Sequence, residues 1–184
     1  MPSYCHRNGL AAGVAWWRLV TAARLWRRHA GSGPVLDFGS SCGELAHFLD
    51  APAYHYVEED ETLAEAAASF VTGSQRRTLE TLEAGHYGAV FALDSLEHNE
   101  DFEGLIQRLI PALADGGVFV LSGPTENLLY RMGRRIAGFR GHGHVTTIAD
   151  IEAAAGRHLT RVGRVRVPVG VPLFSISVWR RPDA

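Results

Sequence analysis

The chain has 184 residues, 46% of them hydrophobic and 21% charged, with a formal net charge of −2. These values are typical of a globular protein and exclude a disordered chain, and the length favours one domain over two of comparable size. Because there is no basic excess, we expect no nucleic-acid partner. We therefore expect a single domain over residues 1–184 with one active centre.

The N-terminal segment and the cysteines bear on cellular location. Residues 10–30 are rich in Ala, Leu, Val and Trp, but four arginines interrupt them. This pattern predicts a helix that neither spans a membrane nor forms a signal-peptide core, and we interpret residues 1–31 as an N-terminal helical cap. Cys5 and Cys42 indicate neither a disulfide framework nor a zinc site, so we expect a protein of the reducing cytoplasm.

Apolar runs alternate with helical spacing from residue 34 onward, which predicts an α/β sheet with right-handed crossovers. The predicted strands are 34–39, 54–58, 70–72, 88–94 and 118–122. The predicted helices between them are 43–49, 61–69 and 102–113, the second capped by Asp60. A turn at 115–117 precedes the fifth strand.

The C-terminal third follows a different pattern. Thr147 to Asp150 form a capping box that opens a helix closed by Gly156. Residues 161–169 and 173–180 then alternate like an antiparallel pair, so we expect a mainly parallel seven-stranded sheet with a reversed last strand at its edge. Residues 125–145 fall outside this scheme, and we interpret them as a lid over the open end of the sheet.

The turn after the first strand is the first candidate for a ligand site. In an open parallel sheet, ligands bind at the carboxyl ends of the strands, where the first turn offers its backbone. Gly39 and Gly43 flank this turn and allow a ligand to lie against bare backbone. Alone, the turn is equally well explained as an ordinary connection between a strand and a helix.

Glu58 sharpens this interpretation because it ends the second strand 21 residues after Asp37. That separation is close to the spacing at which an acid meets a ribose in nucleotide-binding folds. A carboxylate accepts hydrogen bonds from two vicinal hydroxyls and repels a 2′-phosphate, so the expected ligand is an unphosphorylated adenosine. The alternative is a solvated surface acid, since Glu59 and two further acids adjoin it.

Together these segments resemble the class I S-adenosylmethionine (SAM)-dependent methyltransferases. VLDFGSSCGELA is similar to the family's first motif, D-x-G-x-G-x-G, and YVEED to its second. The run from YGAVFALDSLEH through ALADGGVFVLSGPTEN resembles the family's stretch from the fourth to the fifth strand. The segment GHGHVTTIADIEAAAG is similar to the stretch that follows the fifth strand in many members of the family. The resemblance covers residues 34–156 and implies a Rossmann-like, doubly wound, three-layer α/β/α fold that binds SAM and releases S-adenosylhomocysteine (SAH).

The resemblance also implies roles for individual residues. The turn would cradle the methionine part, Asp37 would steady it, Glu58 would hold the ribose, Ser74 would lie near adenine and Asp94 near the methionine end. The full set of expected SAM-binding residues is Asp37, Gly39, Ser40, Ser41, Gly43, Glu58, Glu59, Ser74 and Asp94. Two positions depart from the family: Ser41 replaces the usual middle glycine, and no acid stands beside Ser74.

Methyl transfer from a sulfonium is a direct displacement, so alignment of the reactants supplies most of the catalysis. If the acceptor is a hydroxyl, a base helps, and His98, just past the fourth strand, is the candidate. The alternative is that Glu97 and His98 only fasten their loop. We expect a small-molecule acceptor, with O-methylation slightly favoured over N- or C-methylation.

The predicted lid carries the candidate acceptor contacts Tyr130, Arg134 and His144. His142 and His144 form an H-x-H pair, but no third ligand has suitable spacing, so we expect no metal. Basic and apolar residues of the lid favour a solvated helix. A sharper interpretation is a pocket for an anionic acceptor, or weak contact with anionic lipid shared with the tryptophans Trp16, Trp17 and Trp26.

Three other functions remain open from the sequence. A member of the same fold that binds SAM or a partner without turnover is compatible with Ser41. An RNA methyltransferase would need a basic, aromatic-rich groove that is not evident. A nicotinamide dehydrogenase is disfavoured because its G-x-G-x-x-G spacing is absent, Gly39 and Gly43 being four residues apart.

Overall fold

A computed structural model describes residues 9–29, 33–125, 146–168, 170 and 172–182. The proposed lid contacts Tyr130, Arg134 and His144 lie outside these ranges, so their predicted roles stay predictions.

Seven strands form one mixed sheet. They are β1 (Val35–Phe38), β2 (Tyr54–Val57), β3 (Gln75–Arg76), β4 (Tyr87–Leu93), β5 (Leu113–Pro124), β6 (Thr160–Val167) and β7 (Phe174–Arg180). Their order is β3-β2-β1-β4-β5-β7-β6. Strands β1 to β5 run parallel, and β7 is antiparallel to both β5 and β6. The predicted fold class is confirmed, with the reversed last strand lying one position in from the edge.

In the described part of the chain, four α-helices cover the sheet. They are α1 (Gly9–His29), α2 (Glu61–Phe70), α3 (Phe102–Leu109) and α4 (Ile148–Ala155). Buried residues of α1 and α2 share one apolar cluster with one face of the sheet, and those of α3 and α4 share a second cluster with the other face. Among the described helices, none is both long and apolar enough to cross a membrane.

Polar caps explain where the helices begin. The Asp60 side chain accepts a hydrogen bond from the Leu63 amide at the start of α2, which confirms the predicted cap. Thr147 and Asp150 form a reciprocal capping box at the start of α4, as the sequence predicted. The helices therefore begin where side-chain oxygens satisfy amides that have no partner within the helix.

The third predicted strand, 70–72, is wrong. Phe70 belongs to the last turn of α2, because the alanine-rich sequence after the Asp60 cap continues the helix to that point. The chain then turns at Gly73, whose φ is +78°, and β3 follows at Gln75–Arg76. Both residues of β3 are exposed, so no apolar run marked this strand.

Smaller differences have local causes. The predicted helix 43–49 is a short 3-10 helix over Glu44–Phe48. Helix α3 stops at Leu109, ahead of the predicted residue 113, because Pro111 lacks an amide hydrogen and sits in a 3-10 turn over Ile110–Ala112. The predicted turn at 115–117 lies within β5, where the pairing with β4 is irregular.

Candidate functional site

The turn after β1 lies at the carboxyl edge of the sheet and is tied to the end of β2. The Gly39 amide donates to the Val57 carbonyl at 2.8 Å, and the Gly43 amide donates to the Ser40 carbonyl at 2.9 Å. Strand order reverses here, since β1 lies between β2 and β4 and the chain visits β4 after β3. This is the place where doubly wound sheets bind ligands.

Two glycines of this turn are required by geometry. Gly39 has φ +73°, and a Cβ there would stand 2.4 Å from the Cβ of Ser95. Gly43 has φ +79°, and a Cβ there would stand 2.8 Å from a methyl of Val71. Ser41 has φ +54°, so it occupies the left-handed conformation that favours glycine. The turn is therefore built as the motif predicted, with strain at Ser41.

Glu58 lies directly against this turn, as its spacing predicted. One carboxylate oxygen accepts the Ser41 amide at 2.9 Å, and the other accepts the Asp60 amide at 3.0 Å. The side chain is half-buried, whereas the neighbouring Glu59 is exposed. A carboxylate has about four acceptor sites, so Glu58 can accept further hydrogen bonds from a ligand while it holds Ser41.

Asp37 lies beneath the turn. Its carboxylate is buried and accepts a hydrogen bond of 2.6 Å from the hydroxyl of Tyr54 on β2. Burial raises the pKa of Asp37 to about 7, and the neighbouring carboxylates Glu44 and Glu58 add to this, while the Tyr54 bond partly opposes it. The hydrogen bond from Tyr54 thus joins the Asp37 side chain to β2. Any stabilisation of the turn by Asp37 therefore acts through the strands beneath the turn.

Asp94 follows β4 at the same edge and forms an ion pair that was not predicted from the sequence. One of its oxygens pairs with the guanidinium of Arg18 on α1, and the other accepts a hydrogen bond from the Ser122 hydroxyl at 3.2 Å. The Arg18 side chain is 4% exposed and that of Asp94 is 22% exposed. Helical spacing places Arg18 beside Ala15 and Leu19 on the apolar face of α1, and a buried arginine requires a partner.

Ser95 adds an unsatisfied polar group to this edge. Its hydroxyl is buried and, among the described residues, has no hydrogen-bond partner. The residue touches the position where Gly39 would carry a side chain. A buried hydroxyl without a partner calls for an explanation, and a ligand bound beside the turn would supply one.

Ser74 is not brought to the site. Because β3 begins at Gln75, Ser74 precedes this strand and lies at the end opposite Glu58, so its predicted position after the third strand is wrong. Arg77 and Thr78 follow β3 instead, and the Arg77 amide donates to the Tyr56 carbonyl. They were missed because the strand itself was misplaced.

His98 lies just past β4, in a 3-10 turn over Leu96–His98, and its side chain is exposed. The preceding Glu97 is buried, and the Asn99 side chain donates to the Ser95 carbonyl at 2.9 Å. Asn99 therefore fastens this loop, while His98 is exposed at the edge of the site. Its role as a base stays a prediction.

Comparison with known proteins gives one family and many similar folds. A family model described as a methyltransferase domain matches residues 16–158. The sequence matches no curated protein. The structure is similar to the N-methyltransferase NodS from Bradyrhizobium japonicum WM9 in complex with SAH, with TM-score 0.73, 18% identity and coverage of 91% of this chain and 87% of that one.

Two other solved structures show the same fold. Magnesium protoporphyrin IX methyltransferase (ChlM) from Synechocystis PCC 6803 with bound SAH has TM-score 0.71 and 19% identity, and covers 95% of this chain and 88% of that one. The PH0226 protein from Pyrococcus horikoshii OT3 has TM-score 0.74 and 16% identity, with 91% of each chain covered. At these identities, the likeness concerns the fold.

Proposed function

The chain belongs to the methyltransferase-domain family, and on this premise we propose that it transfers the methyl group of SAM to a small-molecule acceptor and releases SAH. The cofactor assignment is supported by two proteins of the same fold, NodS and ChlM, whose structures contain SAH. The family match also decides against the nicotinamide dehydrogenase. The acceptor class rests on the balanced overall charge, which favours no nucleic acid.

The contact between Glu58 and the glycine turn is the observation that carries this proposal. It brings a half-buried carboxylate to the bare backbone of Gly39 and Gly43 at the edge where the strand order reverses. Glu58 would accept hydrogen bonds from the two ribose hydroxyls, and the turn would border the amino-acid part. The residues present therefore fit an adenosyl compound.

The ion pair of Arg18 and Asp94 fits the other end of the same molecule. The amino-acid part of SAM is a zwitterion, with one ammonium and one carboxylate. Asp94 would receive the ammonium and Arg18 the carboxylate, so each charge of the protein pair meets its opposite. The orphaned hydroxyl of Ser95 lies next to Asp94 and has a hydrogen bond to offer at this end.

Methyl transfer needs little covalent help from the protein. The sulfonium supplies an activated methyl group: a lone pair of the acceptor forms the new bond to carbon, the carbon–sulfur bond breaks, its electron pair stays on sulfur, and the acceptor loses a proton. Alignment of two bound reactants contributes roughly 7–11 kcal/mol to such a step. His98, exposed at the same edge, would take the proton from a hydroxyl acceptor, which is why O-methylation is slightly favoured.

A protein that binds SAM without turnover is the second candidate. The observation that favours it is the left-handed conformation of Ser41, which costs on the order of 1–2 kcal/mol at a position where the family uses glycine. The hydrogen bond from the Ser41 amide to Glu58 offsets part of this strain. The two candidates share the binding site and differ only in turnover.

Calorimetric titration with SAM and SAH tests the site, and release of SAH with a panel of hydroxylated and aminated small molecules tests turnover. We expect Glu58→Ala to weaken SAM binding at least about tenfold, or 1.4 kcal/mol. Glu65→Ala, which removes an exposed carboxylate from α2, is the matched control and should bind like the wild type. No binding at about tens of micromolar SAM would contradict both candidates, and binding without any SAH release would favour the second.

A further inference from the structure

The outward side of α1 carries an unusual combination of side chains. Spacings of three and four residues place its exposed members on one face of the helix. We call this surface the α1 stripe; it consists of the exposed Trp16, Trp17, Arg24, Arg27 and Arg28, with the half-buried Val20 between them. The tryptophans are 36% and 43% exposed. Large aromatic side chains exposed beside cations are characteristic of contact surfaces.

Trp26, which was expected from the sequence to lie with Trp16 and Trp17, does not belong to this surface. It is 7% exposed and packs edge-on against Phe91 in the core, with ring centroids 6.3 Å apart. Trp16 packs edge-on against Phe48, which leaves part of its ring at the surface. Removal of Trp26 from the set leaves a narrow stripe with aromatic residues towards its N-terminal end and arginines towards its C-terminal end.

All charged residues of the α1 stripe are basic. Helix α1 contains no Asp or Glu, and its last turn holds Arg27, Arg28 and His29. Arg27 also donates to the Phe48 carbonyl at 2.8 Å, which fixes its position beside Trp16. The stripe thus presents three arginines to solvent with no acid on the same helix.

The charge also differs between the two ends of the face that α1 and α2 cover. Helix α1 packs against β5, β6 and β7, which places its arginines over one end of the sheet. Helix α2 lies towards the opposite edge and exposes Glu65 together with Glu61, which pairs with Arg76. A molecule with this charge distribution approaches an anionic surface with its α1 side first.

We propose that the α1 stripe docks on an anionic lipid surface, with the helix lying in the plane of the headgroups. Tryptophan rings occupy the boundary between headgroups and acyl chains, and arginines bind the lipid phosphates. A single convex helix suits this role, whereas single-stranded nucleic acid is bound in a basic groove. This docking is independent of the proposed methyl transfer, because the stripe faces away from the core side of α1 that carries Arg18.

Vesicle flotation of the full chain tests the proposal. The probes are phosphatidylcholine vesicles with and without phosphatidylserine, at low and at physiological salt. We expect retention on the mixed vesicles alone, and weaker retention at higher salt. The double variant Arg24→Gln/Arg28→Gln should lower the partition coefficient about 25-fold, or about fivefold for each arginine, and Trp17→Ser by at least about fivefold.

Matched variants separate the stripe from general charge and apolar exposure. Arg108→Gln/Arg157→Gln removes the same charge from the opposite face, and Phe70→Ser removes an apolar side chain that is 65% exposed on α2. Both should float like the wild type. Equal losses in the stripe and control variants, or no retention of the wild type on anionic vesicles, would overturn the proposal. Binding of an RNA oligonucleotide through Arg24 and Arg28 without vesicle retention would also overturn it.

Discussion

The buried carboxyl of Asp37 makes stability depend on pH in a way that can be worked out from the structure. Its pKa is raised to about 7 because burial disfavours the ionised form more than the Tyr54 hydroxyl stabilises it. In the unfolded chain the group has the ordinary value of 3.8. Between these two values the folded chain holds a proton that the unfolded chain has released.

The sign and size of the effect follow from that difference. Because the folded state binds more protons, the free energy of unfolding falls as pH rises through the window from about 4 to about 7. The slope is about 1.4 kcal/mol per pH unit, so the contribution of Asp37 amounts to on the order of 4 kcal/mol. It is fully present below the window and is lost above it.

Urea unfolding of the wild type and Asp37→Asn over this pH range measures the effect. All other titrating groups contribute to both proteins and cancel in the difference, and asparagine can still accept the Tyr54 bond. We expect the wild type to lose stability relative to the variant as pH rises. Tyr54→Phe removes the bond that lowers this pKa, so it should extend the window upward. If the free energies of unfolding of the wild type and Asp37→Asn changed in parallel with pH, the raised pKa of Asp37 would be refuted.

Three further predictions concern the turn and its neighbours. Ser41→Gly should stabilise the fold by about 1 kcal/mol, because glycine adopts the left-handed conformation without strain; thermal unfolding measures this, and no gain would contradict the strain. Gly39→Ala should lower the free energy of unfolding by about 2 kcal/mol or more and Gly73→Ala by about 1 kcal/mol, because only the new Cβ at position 39 meets other atoms. Equal losses for the two variants in urea unfolding would count against the clash at position 39. Arg18→Met should lower the free energy of unfolding by about 2–3 kcal/mol, less than the loss of one partner of a fully buried pair, because Asp94 is partly exposed. The variant should also bind SAH more weakly but bind 5′-methylthioadenosine, which lacks the amino-acid part, as the wild type does. Equal weakening of both ligands in calorimetry would show that Arg18 does not contact the amino-acid part.

The sequence predicted the parts of the fold that rest on local signals. Strand β4 is buried along its whole length and appears in the sequence as an unbroken apolar run. The helix starts at Asp60 and Thr147 were predicted because capping side chains lie within three residues of the amides they bind. The short exposed strand β3 has neither signal, which is why it was misplaced.

The same distinction applies to the site. Glu58 could be assigned to the glycine turn because parallel neighbouring strands end at the same edge, so the spacing in sequence fixes the proximity in space. The pair of Arg18 and Asp94 joins residues 76 positions apart, and no periodicity of either segment indicates which acid the helix will meet. Contacts of this kind depend on how α1 packs across the sheet, and they follow only from the tertiary structure.

A thermodynamic cycle on the proposed contact between Glu58 and the ribose tests the proposed SAM site most directly. Calorimetry gives the affinities of the wild type and Glu58→Ala for SAH and for SAH lacking the ribose hydroxyls. If Glu58 binds those hydroxyls, their removal weakens binding to the wild type about tenfold and leaves binding to Glu58→Ala nearly unchanged. An equal loss in both proteins would mean that Glu58 does not touch the sugar, and the assignment of the site would fail.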